Sequence, residues 1–205
     1  MATSPFLSGR TSDLPTHPQG STVLRLPDRA RGSGAVSPFA VTSYLAVLRA
    51  DSGAPARLQH GVDLLPGLVA GCQHASITIV TGERVQVRVA SDATSRRADE
   101  LQGELAEGPT LQAVRTGHSV ISHDLSTEAR WLAWCSAAVA ELPVVSVLSV
   151  LLNATQLPAA TLNLYSDTVH GLSAVDIGLL HTLAAPLAAA LGDGRLDVRL
   201  LGPAA

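Results

Sequence analysis

The sequence predicts an α+β fold, a central antiparallel sheet with helices packed on its faces, and three patterns carry that prediction. Ala75, Ile77 and Ile79 alternate with Ser76 and Thr78, and Val85, Val87 and Val89 alternate with Gln86 and Arg88, on either side of Gly82. Period-two runs joined this closely form a hairpin, with the glycine supplying positive φ for a tight turn. Val144 to Leu152 is continuously apolar, as suits a central strand covered on both faces, and Thr161, Asn163 and Tyr165 alternate with Ala160, Leu162 and Leu164 on the next. Outside these strands lie two helical stripes: Leu58, Val62, Leu65, Val69 and Cys72, then Val175, Leu179, Leu180, Leu183, Leu187 and Leu191.

Residues 1–55 read as an N-terminal extension rich in Pro and Gly, with too little periodic hydrophobicity to offset its ordering entropy. It is expected to be largely disordered, with a short helix at 37–50 opened by Ser37-Pro38. The folded domain is assigned to 56–191 and a tail to 192–205. The first domain helix covers 56–73, and Pro66 removes one of its backbone donors. Asp92 to Glu104 is polar, with a helical tendency from Arg96 onward. Pro109 opens a short helix that Gly117 closes, and Ser119 to Ser122 is a short edge strand. A loop from Asp124 to Arg130 leads into a helix carrying Trp131, Trp134, Ala138 and Val139, which Pro143 stops. Ser173, with Asp176 three residues on, caps a last helix over 173–191.

Composition narrows the chemistry. Of the 205 residues 46% are hydrophobic and 15% charged, enough apolar material for one core. The fourteen basic residues are all arginine. Without lysine, Schiff-base catalysis and a P-loop are excluded. A net charge of −3 with scattered arginines argues against nucleic-acid binding. Cys72 and Cys135 stand far apart without CxxC pairing, which fits a reducing compartment. With no secretory leader and no membrane-length apolar run, the expected place is the cytoplasm and no membrane contact.

Four motifs go beyond architecture: Glu107-Gly108-Pro109; Asp124-Leu125 with Arg130-Trp131; Ser146-Val147-Leu148-Ser149; and Leu162-Asn163-Leu164-Tyr165-Ser166. In order and spacing they resemble the GAF domain of bacterial GAF–ANTAR regulators, over roughly residues 56–191. The resemblance implies a GAF-like central antiparallel sheet with a small-molecule pocket on one side. It also implies a sensor role in signalling or transcription control, and dimerisation through terminal helices. Thr110 stands where that family has cysteine, Gln112 where it has aspartate, and Pro143-Val144 where it has Gly-Val. The RNA-binding ANTAR helices do not follow, so the chain is expected to act as a stand-alone domain and not as an antiterminator. The Asn-Lys signature of cyclic-nucleotide-binding GAF domains needs a lysine that this chain lacks.

Candidate ligand-binding residues are Thr110, Trp131, Trp134, Ser149, Asn163 and Tyr165. The two tryptophans share a helical face, one expected in the core and one at a pocket rim. Asn163 and Tyr165 share a strand face. Ser146 and Ser149 point to opposite faces, one toward a pocket and the other toward backbone. Asp124 and Arg130 are read as a structural clamp, the guanidinium reaching back to the carboxylate and to backbone carbonyls. No catalytic residue and no metal site is assigned, since His118 and His123 fall on opposite sides of a short strand. The cofactor is unknown; one pocket histidine would suffice for haem, which the sequence leaves open. The expected partners are a second copy or a regulator protein, meeting helices 56–73 and 173–191, and an unidentified small molecule. The chain is read as a non-enzyme. Two rivals stay open, a small redox enzyme using Cys135 or Cys72, and an interaction module whose pocket is filled by its own side chains.

Overall fold

The structure, a computed structural model, describes residues 37–50, 53–152 and 158–193. The disorder expected before residue 37 and the tail from 194 lie outside the described residues. Eleven elements follow in order: α1 (Pro38–Ala50), α2 (Ala54–Leu68), β1 (His74–Thr81), β2 (Arg84–Ala90), α3 (Ala93–Leu105), α4 (Pro109–Thr116), β3 (Val120–Ser122), α5 (Leu132–Glu141), β4 (Ser146–Leu151), β5 (Ala159–Ser166) and α6 (Ile177–Asp193). The strands form one antiparallel five-stranded sheet in the order β2-β1-β5-β4-β3. The α+β reading therefore stands, with the apolar run 144–152 supplying β4 and the alternating run β5 at the centre.

Strand alternation splits the sheet into two unlike faces. Ala75, Ile77, Ile79, Leu148, Val150, Ala160, Leu162 and Leu164 point toward α1, α2 and α6 and form the larger apolar core. Ser76, Thr78, Ser149, Thr161, Asn163 and Tyr165 point the other way and are fully buried, beneath α3, α4 and α5. Val85 and Val87 join this second face, but Val89 does not. The β1–β2 register shifts between Ile77 and Thr78, so Val87 pairs with Thr78 and Val89 with Ile77. The bulge leaves Arg88 as the extra residue and turns Val89 to the opposite core.

Three local readings change. The last helix begins at Ile177, not 173, because Asp176 Oδ1 accepts from the Leu179 amide at 3.0 Å and is the cap. Ser173 instead faces His123 Nδ1 at 3.0 Å. The first domain helix ends at Leu68, before a turn in which Gly71 takes φ +74. α3 starts at Ala93, capped by Asp92, whose Oδ1 accepts from the Ser95 amide at 2.9 Å.

The stripes on α2 and α6 were expected to exceed what one sheet can bury and so to make a subunit interface. α1 covers the surplus. Its Tyr44 and Leu48 are buried against both helices, and the Tyr44 hydroxyl donates to Leu183 O at 2.9 Å. At the crossing point Gly61 lets the three helices close, since a Cβ there would lie 2.4 Å from Leu187 Cδ2. Leu58, Val62, Leu65, Leu183 and Leu187 are thus consumed inside one chain.

A second close approach ties the α2–β1 turn to the loop before α6. A Cβ on Gly71 would stand 1.8 Å from Gly171 O. Gly71→Ala adds a left-handed backbone penalty of about 1–2 kcal/mol to an overpacking cost of about 1–3 kcal/mol. The melting temperature is expected to fall by several degrees, at about 2–4 °C per kcal/mol for this size. An unchanged melt contradicts the close approach.

Candidate functional site

The second face of the sheet is the candidate site, and its polar side chains bond to one another. Asn163, on β5, is the hub. Its Nδ2 donates to Asp99 Oδ1 at 2.9 Å and to Thr78 Oγ1 at 3.2 Å. Its Oδ1 accepts from Thr110 Oγ1 at 3.0 Å and Ser149 Oγ at 2.7 Å. An amide has two donors and two acceptor sites, so Asn163 is satisfied without water.

Proton directions around the hub follow from this. The Thr110 proton goes to the Asn163 carbonyl, which can only accept. Thr161 then donates to Thr110 at 3.4 Å, leaving Thr78 to donate to Thr161 at 2.6 Å. Asn163, Thr78, Thr161 and Thr110 therefore form a closed ring in which every hydroxyl gives one proton and takes one. Such a ring is self-consistent only if all members are present.

Asp99 and Gln102 reach the ring from α3. Gln102 Nε2 donates to Tyr165 Oη at 3.1 Å and to Asp99 Oδ1 at 3.3 Å, and Tyr165 Oη donates to the same carboxyl oxygen. Gln102 Oε1 accepts from the Thr110 amide at 2.8 Å, closing the first turn of α4 over the face. Gly108 explains part of its motif here: with φ +139, a Cβ would lie 2.4 Å from Gln102 Oε1. Burial raises the Asp99 carboxyl to about 7 against the hydrogen bonds that favour its anion, and it also holds the Tyr165 phenol well above its usual range.

Around this network the tryptophans act as walls. Both are buried, so neither is a rim residue. The Trp134 indole donates to Ala98 O at 2.9 Å and the Trp131 indole to Gln112 Oε1 at 2.7 Å, the rings meeting edge to face at 6.1 Å. Glu107 supplies the cap that α5 lacks locally: its Oε2 accepts from the amides of Ala133 and Trp134 at 3.0 and 3.4 Å. Ser146, on the opposite sheet face, donates to Thr168 O at 3.0 Å, while Ser149 faces the network as expected.

The Asp124–Arg130 ion pair is corrected. Arg130 pairs with Glu128, through Nε to Oε1 at 2.8 Å and Nη2 to Oε2, and its Nη2 also reaches Ile121 O at 2.8 Å. The guanidinium lies 4.4 Å from the Trp131 ring centre. Asp124 turns to its own loop, accepting from Ser126 N at 2.9 Å and from the Ser126 hydroxyl. Glu128 and Arg130 stand two positions apart, too short a span for sequence spacing to single out, whereas an Asx turn claims Asp124 first.

Cys72 and Cys135 are both buried, on opposite sides of the sheet, and burial pushes each up to about 12. Among the described residues no group of three or more His, Cys, Asp and Glu is placed to hold a metal ion. No described helix is long and apolar enough to cross a membrane.

Of the six candidate residues, the structure brings Thr110, Ser149, Asn163 and Tyr165 into one network and sets Trp131 and Trp134 beside it. Sequence reasoning missed Asp99, Gln102, Thr78 and Thr161 as members, and Glu107 and Glu128 as the cap and counter-ion of the neighbouring loop. A signal for α3 existed: Ser95, Asp99 and Gln102 recur at helical spacing behind Asp92, but a polar stripe reads as a solvent face.

The fold has relatives among known proteins. The family model described as GAF domain matches residues 55–192. No protein in a search of curated proteins matches the chain. The fold is similar to the GAF domain of a phosphoenolpyruvate-protein phosphotransferase from Coxiella burnetii, at TM-score 0.60 and 13% identity over 80% of this chain and 95% of that one. It is also similar to the free methionine-R-sulfoxide reductase of Neisseria meningitidis, solved in complex with its substrate, at TM-score 0.58 and 16% identity over 80% and 96%. An antiparallel sheet with α1, α2 and α6 on one face and α3, α4 and α5 closing the other defines the class, a GAF-like α+β domain. The chain belongs to the GAF domain family.

Two predictions test the site. Asn163→Ala leaves Thr78, Thr110, Ser149 and Asp99 each short of a partner; at about 1–3 kcal/mol per buried orphan, relaxation included, a loss of roughly 3–5 kcal/mol is expected in urea unfolding. A loss under about 1 kcal/mol, the size of a single net hydrogen bond, contradicts the hub. For the clamp, Arg130→Ala and Glu128→Gln are expected to lower the melting temperature non-additively, with Asp124→Ala contributing independently. Arg130 holds the Glu128 carboxyl down at about 2, so the stability it contributes is present above its unfolded value and lost as pH falls toward 2. Additive Arg130 and Glu128 effects would dismiss the pair.

Proposed function

We propose that this chain is a non-catalytic regulatory GAF domain, of the kind found in bacterial signalling and transcription control, that works in the cytoplasm through contact with a regulator protein or a second copy. One observation carries the reading: Thr110, Ser149, Asn163 and Tyr165, the side chains best placed to hold a ligand, are fully buried and bond to each other. A filled sensing face leaves the outer helices to transmit a signal. Kinship with the GAF domains that accompany ANTAR helices rests on the four sequence motifs and belongs to the proposal.

The rival is a thiol enzyme, and the sulfoxide reductases among the structural neighbours keep it in view. Against it stand two buried, high-pKa thiols that the sheet keeps apart. Thr110 also occupies the place of the family's pocket cysteine.

Native mass spectrometry of freshly purified protein tests the proposal. The expected species carries the mass of the polypeptide alone, or of its dimer, and its absorbance shows no haem. A stoichiometric small molecule leaving on collisional activation overturns the filled-face reading. Alongside it, a thiol reagent is expected to label neither Cys72 nor Cys135 until the protein unfolds; fast labelling of either in the native state revives the enzyme.

A further inference from the structure

The Asp99 carboxyl is bonded asymmetrically. Its Oδ1 accepts from Tyr165, Asn163 and Gln102, while its Oδ2 completes no hydrogen bond. The Ser76 hydroxyl is near enough to bear on the carboxyl, and it too lacks a partner. Both side chains have zero exposure. A carboxylate divides charge between two acceptor oxygens, and a bare, unbonded one in a dry site is costly. A carboxylic acid has one acceptor and one donor oxygen, with the donor needing a single acceptor nearby. A proton on Oδ2 directed at the Ser76 hydroxyl would give both atoms the partner that neither now completes.

Among the described residues the groups bonded to the Asp99 carboxyl are all uncharged donors. On the side of α3 that faces the sheet, its neighbours present neutral groups: Ser76 and Thr78 from β1, Val85 and Val87 from β2, Thr110 from α4, the Trp134 indole from α5, and Asn163 and Tyr165 from β5. Tyr165 is the one titratable side chain bonded to Asp99. His74, on the same sheet face, is engaged with Asp92 at 2.7 Å, where Asp92 caps α3. Arg97 points outward to Glu104 and Glu141.

We infer that the ligand of this filled face is a proton, held on Asp99 Oδ2 and directed to Ser76, and that releasing it loosens α3 and α4 from the sheet. The inference rests on the filled-face reading and deepens it from a regulatory domain to one that responds to pH. No other bond changes: the proton passes between Asp99 and solvent when the face opens. Desolvation sets the window, since the carboxyl titrates at about 7 when folded against an ordinary value of 3.8. A raised acid stabilises the fold fully below its unfolded value, and that contribution is lost as pH rises through about 7. The midpoint falls where cellular pH varies.

The experiment compares wild-type protein with Asp99→Asn by urea unfolding from pH 4 to 8. The wild-type folding constant is expected to drop by up to about tenfold per pH unit between about pH 4.5 and 6.5, one proton's worth, and to level off above about 7. Asp99→Asn, which keeps shape and cannot ionise, is expected to lack this component. Equal pH dependence in the two proteins overturns the inference. Should Asp99→Asn fail to fold, the Asp99 carboxyl carbon resonance in labelled wild-type protein decides: titration near 7 upholds the inference, and an ionised signal persisting to pH 4 refutes it. The readouts separate the two readings, since a co-purifying molecule is seen by mass and leaves this titration unexplained, while a flat titration leaves the filled face intact.

Discussion

Burying polar groups without water is the constraint on which the rest of this structure depends. The second face of the sheet carries serine and threonine hydroxyls, an amide and a phenol where the first carries isoleucine, leucine and valine. Each buried hydroxyl or amide left alone costs a few kcal/mol, so such a face has two stable solutions: water and ligand in an open pocket, or side chains that satisfy each other under a cover. This chain has the second. Asn163 is the element that makes it work, because only a group with two donors and two acceptors can close a ring of threonines and still reach Asp99 and Ser149.

The surrounding architecture serves that closure. Gly108 lets Gln102 approach the start of α4, and Glu107, beside it, caps α5 across the loop, so a few residues fix two covering helices at once. Arg130 then spans Glu128, the Trp131 face and the carbonyl of edge strand β3. On the far face α1 completes a three-helix layer around Gly61. One face is a rigid apolar core; the other is a polar lattice whose integrity depends on protonation as well as packing. A domain built this way can report a chemical change without admitting a molecule.

Much of the fold was legible in the sequence, and the reasons it was legible explain what was not. Strand alternation, the apolar run at 144–152 and the glycine at 82 act locally, so β1, β2, β4 and β5 could be read from pattern alone. Val89 could not, because a bulge at Arg88 reverses its face and no residue type announces it. The start of α6 was misplaced since both Ser173 and Asp176 can cap, and tertiary contacts with His123 claim the first. Four members of the buried network, Thr110, Ser149, Asn163 and Tyr165, stood out by motif and strand face. Asp99 and Gln102 were hidden, because burial turns a polar helical stripe from a solvent signal into a core one, and only the sheet opposite reveals which. The Arg130 partner was missed for a related reason: several carboxylates lie within reach, and the loop geometry chooses.

The Thr110 amide offers the most direct test that the face is closed. As a donor in the first turn of α4 it has no partner within its helix, and its hydrogen bond to Gln102 Oε1 exists only while α3 and α4 are shut over the sheet. Hydrogen exchange at that amide therefore reads the closure itself. At about pH 5, where Asp99 keeps its proton, a lattice that holds the face shut predicts protection comparable to the amides of β5, lost only with global unfolding. Exchange at Thr110 orders of magnitude faster than β5, in protein that is otherwise folded, would mean an openable pocket and would contradict the account.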